Sequence, residues 1–401
     1  MIIEIFPAEA GDSFLISYGK SNEKHILIDG GYKKTYDNFL KIRLQEIKDK
    51  TQEIELLIVT HIDQDHILGI LTLFKENGPS RDPKVIKVQE IWHNSYKHLQ
   101  FDYSKILEQN SREDKILDDY VASGNAMISE GKGNISANQG SMLASYILEN
   151  QYNWNQKFDN EAVIGDDLKR ISLSSDLNII VLSPYRTSLE KLRNKWKSEL
   201  EKRKMTFNFN EGKLYDDAFE FFLLRKLEEE LKVPHECSGT TAFNINDINF
   251  LDIDKRDENE SSIAVIIEHE NNKILFLGDA NPHIIENSLK KLKERENYDL
   301  NFDAIKVSHH GSLASTTKEL LRVIDGKNWI FSGNGKKDKP GMDLIKLILL
   351  EKKQYFKQLI FNYEIDWLNH FESEELKRVY NYEILKGIEN KSTLLYIEEE
   401  K

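Results

Sequence analysis

Apolar residues in this chain come in short runs that alternate every second position or are continuous, separated by stretches with the 3.6-residue spacing of helices. Runs at 2–6 and 13–18 flank a turn of small residues, Pro7-Ala8-Glu9-Ala10-Gly11-Asp12. Further strands are predicted at 25–31, 55–59, 85–92, 178–183, 241–250, 262–268, 273–278, 304–307 and 329–331, with a last one near 392–397. Helical spacing holds over 38–50, from Gly69 to about Lys75, 187–232, 282–296 and 343–353. Residues 96–166 read as mostly helical and polar, interrupted at Gly131-Lys132-Gly133. Strands alternating with helices predict an α/β layered fold in which two halves of similar order, 1–186 and 241–350, flank a helical insertion at 187–240. Residues 351–401 form a C-terminal extension.

Many of these runs end in residues able to bind metal. The stretch Leu56-Leu57-Ile58-Val59-Thr60 breaks into His61, Asp63, Asp65 and His66, four candidate ligands within six residues. A loop leaving a buried strand lets such side chains converge on one point, and the carboxyl ends of strands are where α/β folds place ligands. Two ions about 3.5–4 Å apart would also need a bridging carboxylate and another histidine. Asp279 ends one later strand, in Leu277-Gly278-Asp279-Ala280, and His309 and His310 end the next. Taken singly, His61 and Asp63 read as polar loop residues; it is the set that points to metal. Asp29, before Gly30 and Gly31, reads either as an ordinary Asp-Gly hairpin turn or as a group placed to orient a ligand.

Composition narrows the classes. The 401 residues are 39% hydrophobic and 31% charged, enough for a large core with exposed helices. No apolar run approaches the roughly 18 residues of a membrane helix, and the first thirty residues read as a strand pair rather than a signal peptide, so the expectation is a cytoplasmic protein with no membrane partner. The single cysteine, Cys237, excludes an internal disulfide and a cysteine-rich zinc framework. Any metal must therefore sit on histidine and carboxylate. A net charge of −13 argues against a generic polyanion binder.

The motifs His61-Ile62-Asp63-Gln64-Asp65-His66, Leu277-Gly278-Asp279-Ala280 and Val307-Ser308-His309-His310-Gly311-Ser312, in this order, resemble the metallo-β-lactamase superfamily. Within that superfamily they resemble the branch related to the hydrolase domain of the ComEC DNA-uptake competence channel. Ala10-Gly11-Asp12-Ser13, Leu27-Ile28-Asp29-Gly30, Leu182-Ser183-Pro184, Asn259-Glu260-Ser261-Ser262 and Ser332-Gly333-Asn334 extend the likeness over roughly 1–185 and 240–345. It implies an αββα sandwich with a helical insertion and a C-terminal extension. It also implies two divalent ions: His61 and Asp63 on one, Asp65 and His66 on the other, Asp279 bridging, and His309 in preference to His310 completing the second set. Asp29 would orient a ligand from behind. Manganese or zinc would fill the site, with magnesium as a third candidate, because Asp63 makes it richer in oxygen.

The resemblance further implies phosphodiester or nucleic-acid hydrolysis. Water whose pKa the cations lower would attack phosphorus, Asp65 would orient it or take its proton, and His310 or Lys339 would stabilise or protonate the leaving oxygen. Two features depart from the pattern. No histidine stands cleanly where the family places a third ligand to the first ion, with His93, His98 and His235 the candidates by position. Lys339-Pro340 replaces a common His-Pro. Lysines and arginines between 191 and 204 surround Trp196, and Lys336, Lys337 and Lys339 follow the Ser-Gly-Asn turn; either group is a candidate contact for a nucleic-acid or nucleotide substrate, the first also reading as a solvated helix face. Two rival readings remain. One is a small-molecule hydrolase of a cyclic nucleotide, lipid or ester. The other is a partner-binding component of a bacterial complex such as phage defence, docking through 187–240 or the extension.

Overall fold

The computed structural model describes residues 1–21, 23–99, 142–202, 213–224, 242–336, 339–351 and 356–397. Its strands are β1 Ile2–Ile5, β2 Phe14–Tyr18, β3 Lys24–Ile28, β4 Ile54–Ile58, β5 Val88–Trp92, β6 Arg170–Ser172, β7 Leu177–Ser183, β8 Ala264–His269, β9 Asn272–Phe276, β10 Asn301–Lys306, β11 Asp325–Phe331, β12 Lys357–Phe361, β13 Tyr382–Leu385 and β14 Thr393–Tyr396. They form two sheets, one ordered β14-β1-β2-β3-β4-β5 and the other β13-β12-β11-β10-β9-β8-β7-β6.

Strand alternation explains how the sheets stack. Phe14, Ile16, Ile26, Ile28, Leu56 and Ile58 of the first sheet share one core with Ile179, Val181, Val265, Ile267, Ile274 and Phe276 of the second. The residues between them face outward: Leu15, Leu27 and Leu57 on one side, Ile180, Leu182, Ile266, Leu275 and Leu277 on the other. The first outer face is covered by helices α1 Lys41–Asp49, α2 Gln64–Asn77, α3 Leu143–Glu149, α4 Arg186–Lys202 and α5 Lys213–Leu224. The second is covered by α6 Pro282–Glu296, α7 Lys318–Val323, α8 Met342–Leu350 and α9 Glu374–Tyr380. The result is an αββα sandwich.

Several expectations are revised. Residues 242–250 form no strand, only a 3-10 turn at Ile245–Asp247, and Phe250 is 56% exposed. Asn244, Asn246 and Asn249 explain this, since short amide side chains compete for the backbone; the amide of Asn246 donates to Asn244 Oδ1 at 2.9 Å. The stretch read as mostly helical holds, among described residues, the 3-10 turn Tyr96–Leu99, α3 and a long loop to β6 that includes the short 3-10 turn Gln156–Phe158. The C-terminal extension contributes to both sheets: β12 and β13 lengthen the second, and β14 lies antiparallel to β1 in the first.

Helices α4 and α5 share their core with α2 and α3. Trp196, 1% exposed, packs against Phe219 and Phe222 and so stacks no base. Lys191 and Lys195 of the same helix are paired with Glu260 and Glu258. On its other side α5 carries buried carboxylates that tie it down: Asp217 accepts from Met142 N at 2.6 Å and Ser145 Oγ at 2.7 Å, and Glu220 meets His93 Nε2 at 2.9 Å.

Candidate metal centre

The candidate ligands gather where strands of both sheets end. After β4 the chain turns through Thr60 and His61, Asp63 adopts extended geometry at the N-cap of α2, and Asp65 and His66 fall in that helix's first turn. Close approach of α2 to the end of β3 requires glycine, for a Cβ on Gly69 would lie 2.0 Å from the carbonyl oxygen of Gly30. Asp29-Gly30 is therefore no hairpin: β3 runs parallel to β4, and Asp29, at φ +55°, turns its carboxylate under the site. It accepts from Thr60 N at 2.8 Å and Thr60 Oγ1 at 2.7 Å, and meets His66 Nδ1 at 2.8 Å. That fixes His66 with Nε2 facing the cluster.

Asp279 is the hub. Its Oδ1 lies 3.5 Å from His66 Nε2, and its Oδ2 lies 3.6 Å from His310 Nε2, 3.6 Å from His309 Nε2 and 3.9 Å from His61 Nε2. His61 Nε2 is also 3.6 Å from Asp63 Oδ2. Asp65 is 3.3 Å from His310 Nε2 and 3.9 Å from His66 Nε2. These are the spacings of side chains that can share an ion without touching one another. Five buried atoms here, His61 Nε2, Asp63 Oδ1, His66 Nε2, Asp279 Oδ1 and His310 Nε2, have no hydrogen-bond partner. Buried polar atoms without partners are costly, and a cluster of them converging on one space is what a cation would satisfy. The residues therefore fit divalent metal.

His309 and His310 both adopt left-handed backbone, φ 52° and 57°, an uncommon conformation for consecutive residues other than glycine. The turn sends their rings to different neighbours. His310 Nδ1 faces Asp12 Oδ1 at 3.1 Å and Ser332 Oγ at 3.3 Å, leaving Nε2 to Asp65 and Asp279. His309 Nδ1 faces Asp254 Oδ2 at 3.2 Å and Ser315 Oγ at 3.2 Å, while its Nε2 meets Arg256 at 2.9 Å and the ammonium of Lys339. The expected preference for His309 beside Asp65 and His66 is thus not what the geometry places there; His310 stands in that position. His93 pairs with Glu220, and His98 packs edge-on to Trp154 at 4.6 Å; neither joins the cluster. His235 and Lys337 lie outside the described residues, and Lys336 is exposed.

Charge in the cluster is strongly redistributed. Burial drives the Asp63 carboxyl above the usual range. Burial opposes ionisation of Asp279 as well, yet His310, His309 and His66 hold it well below. Asp65 is likewise held low by His66 and His310 against its burial. The reverse applies to His66 and His310: burial disfavours their charged forms, but Asp279 with Asp29 and Asp12 raises both. Burial and then Lys339 lower His309 to about 4, so it is a neutral imidazole.

Sequence reading missed Asp12, Lys306, Asp254 and Arg256 as site residues. Lys306 is fully buried on β10, pairs with Asp12, donates to Gly278 O at 3.0 Å and lies 4.0 Å from Asp279. A lysine inside the apolar run Ala304-Ile305-Lys306-Val307 was the available signal. Asp12 stood in a small-residue turn and in the Ala10-Gly11-Asp12-Ser13 match, neither of which gave it a role at the site. Gly11 packs so tightly on Asp65 that a Cβ would sit 2.0 Å from its carbonyl oxygen, and Asp12 N donates to that oxygen at 3.1 Å.

Comparison with known proteins found a family match over part of the chain and distant likenesses among solved structures. Residues 7–125 match the metallo-beta-lactamase superfamily, a span that holds Asp12, Asp29, His61, Asp63, Asp65 and His66 but not Asp279, His309 or His310. No curated protein matches the chain. Among solved structures, zinc-bound PqqB from Methylobacterium extorquens aligns over 99% of this chain and 100% of its own at 9% identity, with a TM-score of 0.39. CmlA, a diiron β-hydroxylase from Streptomyces venezuelae, aligns over 98% of this chain and 54% of its own at 10% identity, with a TM-score of 0.33. Residues 7–125 are thus similar to the metallo-beta-lactamase superfamily, within a chain built as an αββα sandwich with extra helices and a C-terminal extension around a candidate Asp/His metal site.

Proposed function

We propose that the protein is a metal-dependent hydrolase of phosphodiesters. The observation that carries this reading is the set of unpartnered buried atoms around Asp279, in which carboxylates and imidazoles alternate. His61 and Asp63 would hold one ion, and Asp65, His66 and His310 the other, with Asp279 shared between them. A mixed oxygen and nitrogen set of this kind suits manganese or zinc. When bound, divalent ions lower the pKa of water and offset charge that builds on phosphoryl oxygens.

The chain's own groups supply the rest. Asp29 and Asp12 hold the rings of His66 and His310 so that each Nε2 faces the cluster. Lys306 pairs with Asp12, whose Oδ1 faces His310 Nδ1 at 3.1 Å, and Asp12 stands with His66, Asp279 and His310 in the group that could hold an ion. Asp65, 21% exposed and so the most solvent-accessible of the cluster carboxylates, would orient the attacking water or take its proton. Lys339 would meet the anionic part of the substrate. The net charge of −13 favours short phosphodiesters, such as cyclic nucleotides or nucleic-acid ends, over long duplex. The motif resemblance to the ComEC hydrolase branch supports a nucleotide leaving group, and the same resemblance is the ground for a role in bacterial defence.

The test is elemental analysis of the purified protein, with hydrolysis of bis(p-nitrophenyl) phosphate, cyclic nucleotides and single- and double-stranded DNA in manganese, zinc and magnesium. Wild type should cleave a phosphodiester, and Asp279→Ala should lose both metal and turnover. Wild-type protein that holds metal but cleaves only neutral esters would overturn the reading.

A further inference from the structure

We infer that Lys306 is a positioning residue of the centre: its buried ammonium commits Asp12 to His310, and so fixes the ring that turns Nε2 to Asp65 and Asp279. The inference rests on the metal-dependent reading of this site and is independent of which substrate the site takes. Alternation along β10 puts Lys306 on the face of Ala304, in the core between the sheets, beside Phe276 of β9 and Ile330 of β11. Its ammonium reaches Asp12, in the turn before β2 of the other sheet. Both oxygens of Asp12 are then engaged, Oδ2 by Lys306 and Oδ1 by His310 Nδ1 at 3.1 Å and the Ser332 hydroxyl. A carboxylate only accepts, so Nδ1 of His310 donates to it and Nε2 keeps its lone pair.

Stability does not account for this lysine. Burying two charges costs hydration, and apolar residues of similar volume in their place are often neutral or stabilising. The neighbours at 276 and 330 are themselves apolar. What the ammonium adds is a carboxylate fixed behind a ligand. Lys306 also donates to Gly278 O at 3.0 Å, but that carbonyl has a second donor in His309 N at 2.9 Å, and Asp279 N is held by Ser262 Oγ at 3.1 Å. The shared carboxylate has supports of its own, so the influence of Lys306 runs through Asp12. Asp12 is also one of the groups that could hold an ion, and the two roles have opposite consequences. Were Asp12 a ligand, the ammonium would compete with metal for it, and losing the lysine would tighten binding. As the holder of His310, Asp12 needs the ammonium, and binding weakens without it.

Metal content and affinity, the latter by chelator competition, are measured on wild type, Lys306→Met, Lys306→Arg and the double variant Asp12→Asn/Lys306→Met. Proton NMR of the cobalt(II)-loaded proteins records their exchangeable imidazole N–H signals. Lys306→Met should bind one ion about 10–100-fold more weakly, the usual effect of losing a group that orients a ligand, and should shift or lose one N–H signal. The other ion should bind as in wild type, and Lys306→Arg should recover part of both effects. Lys306→Met leaves the Asp12 charge unpaired by an ammonium in the core; should it fail to fold, the double variant, which removes both charges, decides, with the same weakening expected. Unchanged or tighter metal binding in the variant that folds, an equal weakening of both ions that Lys306→Arg does not recover, or loss of the fold in both overturns the inference. Wild type that takes up no metal would sink the metal-dependent reading and the inference with it, whereas wild type that holds metal yet cleaves no phosphodiester touches the substrate alone.

Discussion

At the scale of single residues, the site is defined by which nitrogen of each histidine is already engaged. His66 and His310 each have a carboxylate on Nδ1 and an unpartnered Nε2, whereas Nε2 of His309 is met by two cations. His310→Ala should therefore lower metal content or weaken metal binding by tenfold or more, while His309→Ala keeps its metal; competition against a chelator measures both. The opposite result would return His309 to the ligand role expected from sequence. Asp29→Ala removes the partner of His66 and should weaken metal binding by about 10–100-fold, the usual effect of losing a group that orients a ligand. Protons compete with metal for His66 and His310, whose raised pKa values extend that competition above pH 6.5. Apparent metal affinity should thus keep rising as pH increases beyond 6.5, and a pH-independent constant from 6 to 8 would contradict it.

At the scale of elements, α5 shows why buried charge decides how a helix behaves. Burial raises the carboxyl of Asp216 to about 7, although Lys97 N donates to it at 3.1 Å. A carboxyl whose pKa is higher in the folded than in the unfolded chain binds more protons when folded, so its contribution favours folding below about pH 4 and is lost as pH rises towards 7. Relative to wild type, Asp216→Asn should gain stability as pH rises over that window, read from urea midpoints at pH 4.5 and 7.5; a constant difference would refute the assignment. Strand-forming runs with ligands at their ends were legible, as β4, β9 and β10 show, because period and punctuation are local. What sequence could not show was contact at long range. Asp12 finds His310 across 298 positions, and Arg256 sits in a charged stretch, 252–260, where nothing local marks it. Short strands were lost for a related reason, since β12 and β13 acquire their meaning only beside β11.

At the scale of the whole molecule, the two sheets are closed by the last fifty residues. Ile397 N donates to Met1 O at 2.9 Å, β14 covers the outer edge of β1, and Leu359, Phe361, Leu368, Phe371 and Tyr382 belong to the second outer core. A chain ending at Leu350 would expose the edge of β11 and that apolar surface, so it should be insoluble or lack a cooperative unfolding transition, whereas Phe361→Ala should fold with a loss of about 3–5 kcal/mol. The charge of the molecule bears on its substrate in a different way. With −13 overall and basic residues of α4 such as Lys191 and Lys195 paired to glutamates, the cations that a phosphodiester at the centre would meet first are Arg256 and Lys339, both beside His309. Each phosphate contact contributes roughly 0.7–0.9 to the slope of log affinity against log salt, so two predict a slope of about −1.4 to −1.8. Fluorescence titration of a labelled single-stranded oligonucleotide on Asp279→Asn protein, between 50 and 300 mM salt, measures this directly. A slope of −5 or steeper would mean that a broad basic surface tracks the strand, and that the enzyme is built for long nucleic acid rather than for short phosphodiesters.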